Sequence, residues 1–298
     1  MIIDSHFHLI RKKNIDAETY ARLGLKMPED TPLDKLVGWM KNAGIKKAVA
    51  MGQDMSRIWN TTFGEEYLLE SVRKYPDFLT GLASAEPLDK ANRLNRQTLD
   101  YVEKALTEYN LKGVLFTPPY GQYYSNDKTI YPFYELIESK QAVCQYHHSA
   151  QMGPAILAPT KYANMFLLND VIIDFPNMKI VVEHLGYPWS EHLFTLMAND
   201  ENVYTDLAMM YDRPMKTVWS LVLAKEYGVI DRVMFATDYV CFDYYGFSSN
   251  PTDDYKRWIT FVENGINEIC IKSGWPTFSD DEIEGILWRN ANRLYQLT

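Results

Sequence analysis

The chain has 298 residues, of which 47% are hydrophobic and 23% charged, so it can bury a sizeable core and is not a disordered segment. A formal charge of −9 argues against nucleic-acid binding, which leaves a basic footprint. There is no uninterrupted apolar run of about eighteen residues and no amino-terminal leader pattern, so the expectation is a cytoplasmic protein with no membrane partner.

The first β-rich run, Met1 to Asp4, leads into Asp4-Ser5-His6-Phe7-His8. Alternate residues of an extended chain point the same way, so His6 and His8 can share one ion. A bare HxH pair is weak evidence, because polar residues at a strand-to-loop junction read the same way. Arg11, Lys12 and Lys13 then read as a solvated loop. Helical spacing over Leu33 to Asn42 ends before Gly44, which suits a left-handed cap, and the second run is Lys47 to Met51. Arg57 and Trp59 follow it. A helix over Glu65 to Tyr75 stops at Pro76, and the third run, Phe78 to Ser84, has Glu86 just beyond. A helix over Leu94 to Glu108 leads to the fourth run, Gly113 to Phe116, with Tyr120, Tyr123 and Tyr124 behind it. The fifth run, Ala142 to Tyr146, ends on His147 and His148, and the sixth, Lys179 to Glu183, on His184. The seventh, Val203 to Asp206, precedes Arg213 and a helix over Pro214 to Tyr227. The eighth, Val233 to Ala236, ends at Thr237-Asp238, with Tyr244 and Tyr245 beyond.

This alternation predicts a parallel sheet with crossover helices, and runs as apolar as Ile180-Val181-Val182 predict strands covered on both faces. A closed barrel and an open sheet both fit the count. His6, His8, His147, His184 and Asp238 fall at the ends of runs one, five, six and eight, which meet only if the sheet closes. The fold expected is a single (β/α)8 barrel over residues 1–298. Cys144, Cys241 and Cys270 are far apart and form no CxxC pair, and read as small apolar fillers.

Six segments in order resemble the amidohydrolase superfamily, specifically the amidohydrolase-2 branch of TIM-barrel metal-dependent hydrolases that includes aminocarboxymuconate-semialdehyde decarboxylase. They are IIDSHFHL (Ile2 to Leu9), KGVLFTPPY (Lys112 to Tyr120), YPFYELIESKQAVCQYHHS (Tyr131 to Ser149), KIVVEHLGYPW (Lys179 to Trp189), VMFATDY (Val233 to Tyr239) and ILWRNANRLYQL (Ile286 to Leu297). The resemblance implies that His6, His8, His147 and Asp238 bind a metal, with His147 preferred to His148, and that His184 stands beside the water or substrate. Binuclear relatives carry a bridging lysine on the fourth strand, where this chain has Leu115, so one divalent ion is implied, zinc first and manganese second.

Such an ion acidifies water toward neutral pH and polarises a carbonyl. Asp238 and His184 are then the catalytic acid and base groups, while Arg57, Arg213 and Tyr120 are the expected substrate contacts. Glu86 and Asp206 either orient ligand imidazoles or cap helices. The leading reading is a hydrolase of an ester, lactone, amide or C–C bond in a small, carboxylated or aromatic-derived molecule. A nonoxidative decarboxylase is the alternative, and a noncatalytic binding barrel a third. A homodimer is expected from the wealth of Trp and Tyr.

Overall fold

The computed structural model describes residues 1–149, 154–240 and 250–297. Its main sheet is built from β1 (Ile3–His8), β2 (Lys47–Met51), β3 (Leu79–Ala85), β4 (Gly113–Phe116), β5 (Val143–Tyr146), β6 (Lys179–Val182), β7 (Val203–Asp206), β8 (Val233–Met234) and a short β9 (Tyr239–Val240). Every neighbouring pair is parallel, and the order runs from β8 back through β2 to β1 and then β9. Helices return the chain over the outside, among them α1 (Leu33–Asn42), α2 (Glu65–Lys74), α3 (Arg96–Thr107), α4 (Tyr131–Ser139), α5 (Phe166–Asp174), α6 (Ser190–Asn199) and α7 (Pro214–Glu226). This is the (β/α)8 barrel expected from the sequence. No helix among the described residues is long and apolar enough to cross a membrane.

The barrel closes through a broken last strand. Val233 and Met234 pair with β7, the chain then turns, and Tyr239 and Val240 pair with β1. Across the break, Phe235 O accepts from Ser5 N at 3.0 Å and His6 O from Asp238 N at 2.9 Å. Asp4 holds the turn itself, accepting from Thr237 N at 3.0 Å and Thr237 Oγ1 at 2.6 Å. The eighth strand is therefore shorter than the Val233 to Ala236 run, because side-chain bonds replace part of its ladder.

Two cores result. Inside the barrel, Ile3, Val49, Leu82, Leu115, Val143, Val181 and Met234 pack together, and Ala291, Leu294 and Tyr295 of the carboxy-terminal helix α8 (Asn290–Tyr295) join them from one end. Between strands and helices lies the larger cluster that includes Phe7, Ala48, Val114, Cys144 and Val182. Opposite-facing neighbours divide between the two, as a pleated strand requires. Gly113 opens β4 because a Cβ there would collide with the Val143 carbonyl of β5. Of the helices named above, α3 alone starts on a side-chain oxygen cap. Asn95 accepts from Thr98 N at 3.2 Å, so α3 begins after it rather than at Leu94.

Asp4→Ala leaves the buried Thr237 amide and hydroxyl without acceptors and is expected to destabilise the fold by about 1–3 kcal/mol. Urea unfolding followed by circular dichroism measures it; an unchanged midpoint would show that closure does not depend on this carboxylate.

Candidate metal centre

β1 runs longer than expected, through His8, and contains an extra residue. Asp4 pairs with Ala48 but Phe7 with Ala50, so three steps on β1 face two on β2. Such a bulge switches which side chains face in. Ile3 points into the barrel before it, and His6 and His8 do so after it, while Phe7 packs outside. Parity on the other strands follows simply: Val143, Gln145 and His147 share one face, as do Val181 and Glu183.

Three donors converge at the mouth. His6 Nε2 lies 3.2 Å from His8 Nε2 and 3.4 Å from Asp238 Oδ1, and His8 Nε2 lies 3.3 Å from that oxygen. Tetrahedral ligands at about 2.0–2.2 Å from an ion stand roughly 3.3–3.6 Å apart, so the spacing fits one divalent cation. Two imidazoles and a carboxylate suit zinc or manganese. His6 Nδ1 sits 3.0 Å from Asp206 Oδ2, which fixes the ring with Nε2 facing the site. Asp206 also accepts from the amides of His184, at 2.8 Å, and Ala208, at 3.1 Å.

His147 gathers on an adjoining face, with Glu183 and His184. Its Nδ1 is 3.0 Å from Glu183 Oε2 and 3.2 Å from His184 Nε2, and the last two are 3.3 Å apart. Glu183 Oε1 reaches within 3.7 Å of His6 Nε2, joining the two faces. Glu183 was not singled out by the sequence reading. Strand parity with Val181 was the available signal for it. His184 arrives differently, by a left-handed turn: His184, Leu185 and Gly186 have φ of 59°, 53° and 61°. Asp238 also has positive φ, 55°. Left-handed conformations of non-glycine residues are costly and cluster at functional sites.

Charge organises the centre. Burial opposes a charge on His6, but Glu183, Asp206 and Asp238 outweigh it and push its pKa up to about 10. Burial likewise opposes charge on His184, yet Glu183, Asp238 and Asp206 hold it above the usual imidazole range. Burial would raise Glu183, but His6 and bonds from His147 and His184 hold it well below the carboxylate range. Against burial, Asp238 is lowered by His8, His6 and His184. Buried carboxylates here favour positive charge.

Of the expected substrate contacts, Tyr120 stands nearest, its ring 5.0 Å from that of His147 and edge-on. Arg57 is nearly buried and engaged by protein groups, with Nε 3.0 Å from Glu86 Oε1, Nη1 2.8 Å from Asn92 Oδ1, and Nη2 on Gly121 O. Glu86 thus holds Arg57 rather than capping a helix or orienting a ligand imidazole. Arg213 donates to Met209 O at 3.0 Å and Asp212 at 2.5 Å, and lies over the Tyr187 ring. Tyr124 faces outward against Tyr162, and Tyr123 is buried. His148 points away from the centre against Tyr146; burial, then His147, push its pKa down to about 3. Cys144 and Cys270 are free and buried. Cys241, Tyr244 and Tyr245 lie outside the described residues.

A family model described as amidohydrolase, amidohydrolase-2 type, matches residues 3–297. The chain belongs to the amidohydrolase family and is an enzyme. No curated protein matches it. Among solved structures, an uncharacterised TIM-barrel protein from Bordetella bronchiseptica is similar at 19% identity and a TM-score of 0.71, covering 99% of this chain and 98% of its own. A probable 2-pyrone-4,6-dicarboxylic acid hydrolase from Acinetobacter baumannii, with citric acid bound, is similar at 15% identity and TM-score 0.67, covering 99% of both chains. Dihydroxybenzoic acid decarboxylase from Polaromonas sp. JS666, with manganese and 2-nitroresorcinol, is similar at 16% identity and TM-score 0.64, covering 99% of this chain and 97% of its own. At these identities the likeness establishes the shared barrel.

Removing the carboxylate that orients His6, as in Asp206→Ala, is expected to weaken cation binding about 10–100-fold. Calorimetric titration of metal-free protein checks this, and unaltered affinity would assign Asp206 to the fold alone.

Proposed function

We propose that this enzyme is a metal-dependent hydrolase of an ester, lactone, amide or C–C bond in a small carboxylated or aromatic-derived molecule. The observation that carries the reading is the convergence of His6 Nε2, His8 Nε2 and Asp238 Oδ1 within 3.2–3.4 Å. A divalent cation bound there, zinc first and manganese second, would supply positive charge to polarise a carbonyl and acidify water.

The chain's own groups do the rest. Asp238, lowered in pKa, takes a proton from the attacking water. His184, raised in pKa and across the mouth, donates one to the leaving group. Tyr120 lines the entrance beside His147 and gives an aromatic or planar substrate an apolar wall. Arg213, paired with Asp212 but more exposed than the buried Arg57–Glu86 pair, is the cation proposed to meet a substrate carboxylate. Nonoxidative decarboxylation is the second reading. The shared barrel of the manganese-containing dihydroxybenzoic acid decarboxylase favours it, and the same proton donor would then protonate the carbon that loses carbon dioxide. We further propose a cytoplasmic location and a homodimer.

His6→Ala and Asp238→Ala are each expected to lose cation and turnover together, whereas His184→Asn keeps the cation on His6, His8 and Asp238 while turnover falls at least ~100-fold. Elemental analysis beside steady-state rates measures both. Stoichiometric metal in the His6→Ala protein would sink the ligand assignment. Screening lactones and esters for acid release, and aromatic acids for carbon dioxide release, separates the two reactions.

A further inference from the structure

We infer that the mouth admits a flat molecule whose anionic groups all lie on one edge; this inference rests on the substrate class proposed above. The half of the rim from β1 to β5 is an apolar wall, and the half from β6 to β8 carries the charged groups. The wall is a small core of its own, built from loops. After β2 the chain forms a short antiparallel hairpin, Asp54–Met55 with Thr61–Thr62, and Phe63 behind it donates its amide to Gln53 O at 2.9 Å. Met55, Trp59 and Phe63 pack with Ile10 from the loop after β1 and Leu157 from the loop after β5, and Tyr120 from the loop after β4 packs against them. Two of these rings flank the site. Phe63 meets His8 edge-on with ring centres 5.3 Å apart, and Tyr120 meets His147 edge-on at 5.0 Å. His8 ends β1 and His147 follows β5, so the two aromatic rings bound half the circle of strands.

Arg57 fixes this wall without offering a cation to it. Its guanidinium joins three loops, donating to Glu86 Oε1 at 3.0 Å and Asn92 Oδ1 at 2.8 Å after β3, and to Gly121 O after β4. Trp59 Nε1, two residues on, donates to Tyr120 O at 3.1 Å. With its side chain 8% exposed and its charge matched by Glu86, Arg57 positions Tyr120 rather than meeting a substrate anion. Other cations near this side have partners elsewhere: Arg11 lies over the Tyr67 ring, Lys12 pairs with Glu29 and Arg93 with Asp89. Among the described residues no lysine or arginine is fully buried, and residues 150–153 and 241–249 include neither type.

Across the mouth the chemistry is reversed. His184 and Asp238 stand there, with Arg213 at the start of α7. A carboxylate turned to that half meets the bound cation or Arg213. One turned to Phe63 and Tyr120 loses its water and gains no cation, which disfavours the molecule that bears it. A ring carboxylated on one edge therefore fits, and a ring with carboxylates on opposite edges does not.

Benzoate and terephthalate (benzene-1,4-dicarboxylate) test this, because the second repeats the first and adds a carboxylate at the opposite edge. Dissociation constants are measured by ligand-observed NMR on the full-length protein with one equivalent of zinc. Wild type is expected to bind benzoate at least ~10-fold more tightly than terephthalate. Tyr120→Arg, which puts a cation on the wall, is expected to narrow or reverse that ratio. Terephthalate bound as tightly as benzoate by wild type overturns the one-sided mouth and leaves the proposed function standing. A wild-type ratio in a folded Tyr120→Arg protein overturns the placement of the wall. Binding of neither acid overturns the carboxylated, aromatic-derived substrate class and this inference with it. If Tyr120→Arg fails to fold, the wild-type ratio still decides.

Discussion

One extra residue in β1 decides what the mouth of this barrel contains. Ile3 faces the interior, and a regular strand would send Ser5 and Phe7 in after it. The bulge between Asp4 and Phe7 reverses that parity, so that His6 and His8 turn inward and Phe7 joins the outer core. Everything that converges on those imidazoles depends on this shift: Asp238 from the broken eighth strand, Asp206 from β7 and Glu183 from β6.

Closure and site are the same structure seen twice. Asp4 anchors Thr237, and the turn it secures presents Asp238 in a left-handed conformation beside the two histidines. His184 likewise sits on a left-handed turn whose amide is held by Asp206. Backbone strain of this kind costs about 1–3 kcal/mol per residue and survives because the surrounding bonds over-determine it. The same carboxylate thus orients a ring and pins a turn.

The far end of the barrel also reaches the site. α8 closes the interior with Ala291, Leu294 and Tyr295, and the Tyr295 hydroxyl, through Gln145, fixes how Glu183 lies. Packing of the carboxy-terminal helix and electrostatics at the mouth are therefore coupled through one buried polar chain, in which every bond matters because an unpaired buried group is expensive. That coupling explains why the closing ILWRNANRLYQL segment belongs with the catalytic motifs.

Much of this was written locally in the chain. Eight apolar runs alternating with helical spacing announced a parallel barrel, because period and apolarity are properties of neighbouring residues. His6, His8, His147, His184 and Asp238 could be nominated because each ends such a run. What the sequence could not carry was parity across the bulge, the grouping of His147 with Glu183 and His184 on a face beside that of His6, His8 and Asp238, or the commitment of Arg57 to Glu86. Those depend on strand register and on side chains far apart in sequence, 29 residues for Arg57 and Glu86 and 200 for His6 and Asp206. Local pattern determined which residues stand at the strand ends; only closure of the sheet, which sets distances between those ends, decided which of them meet.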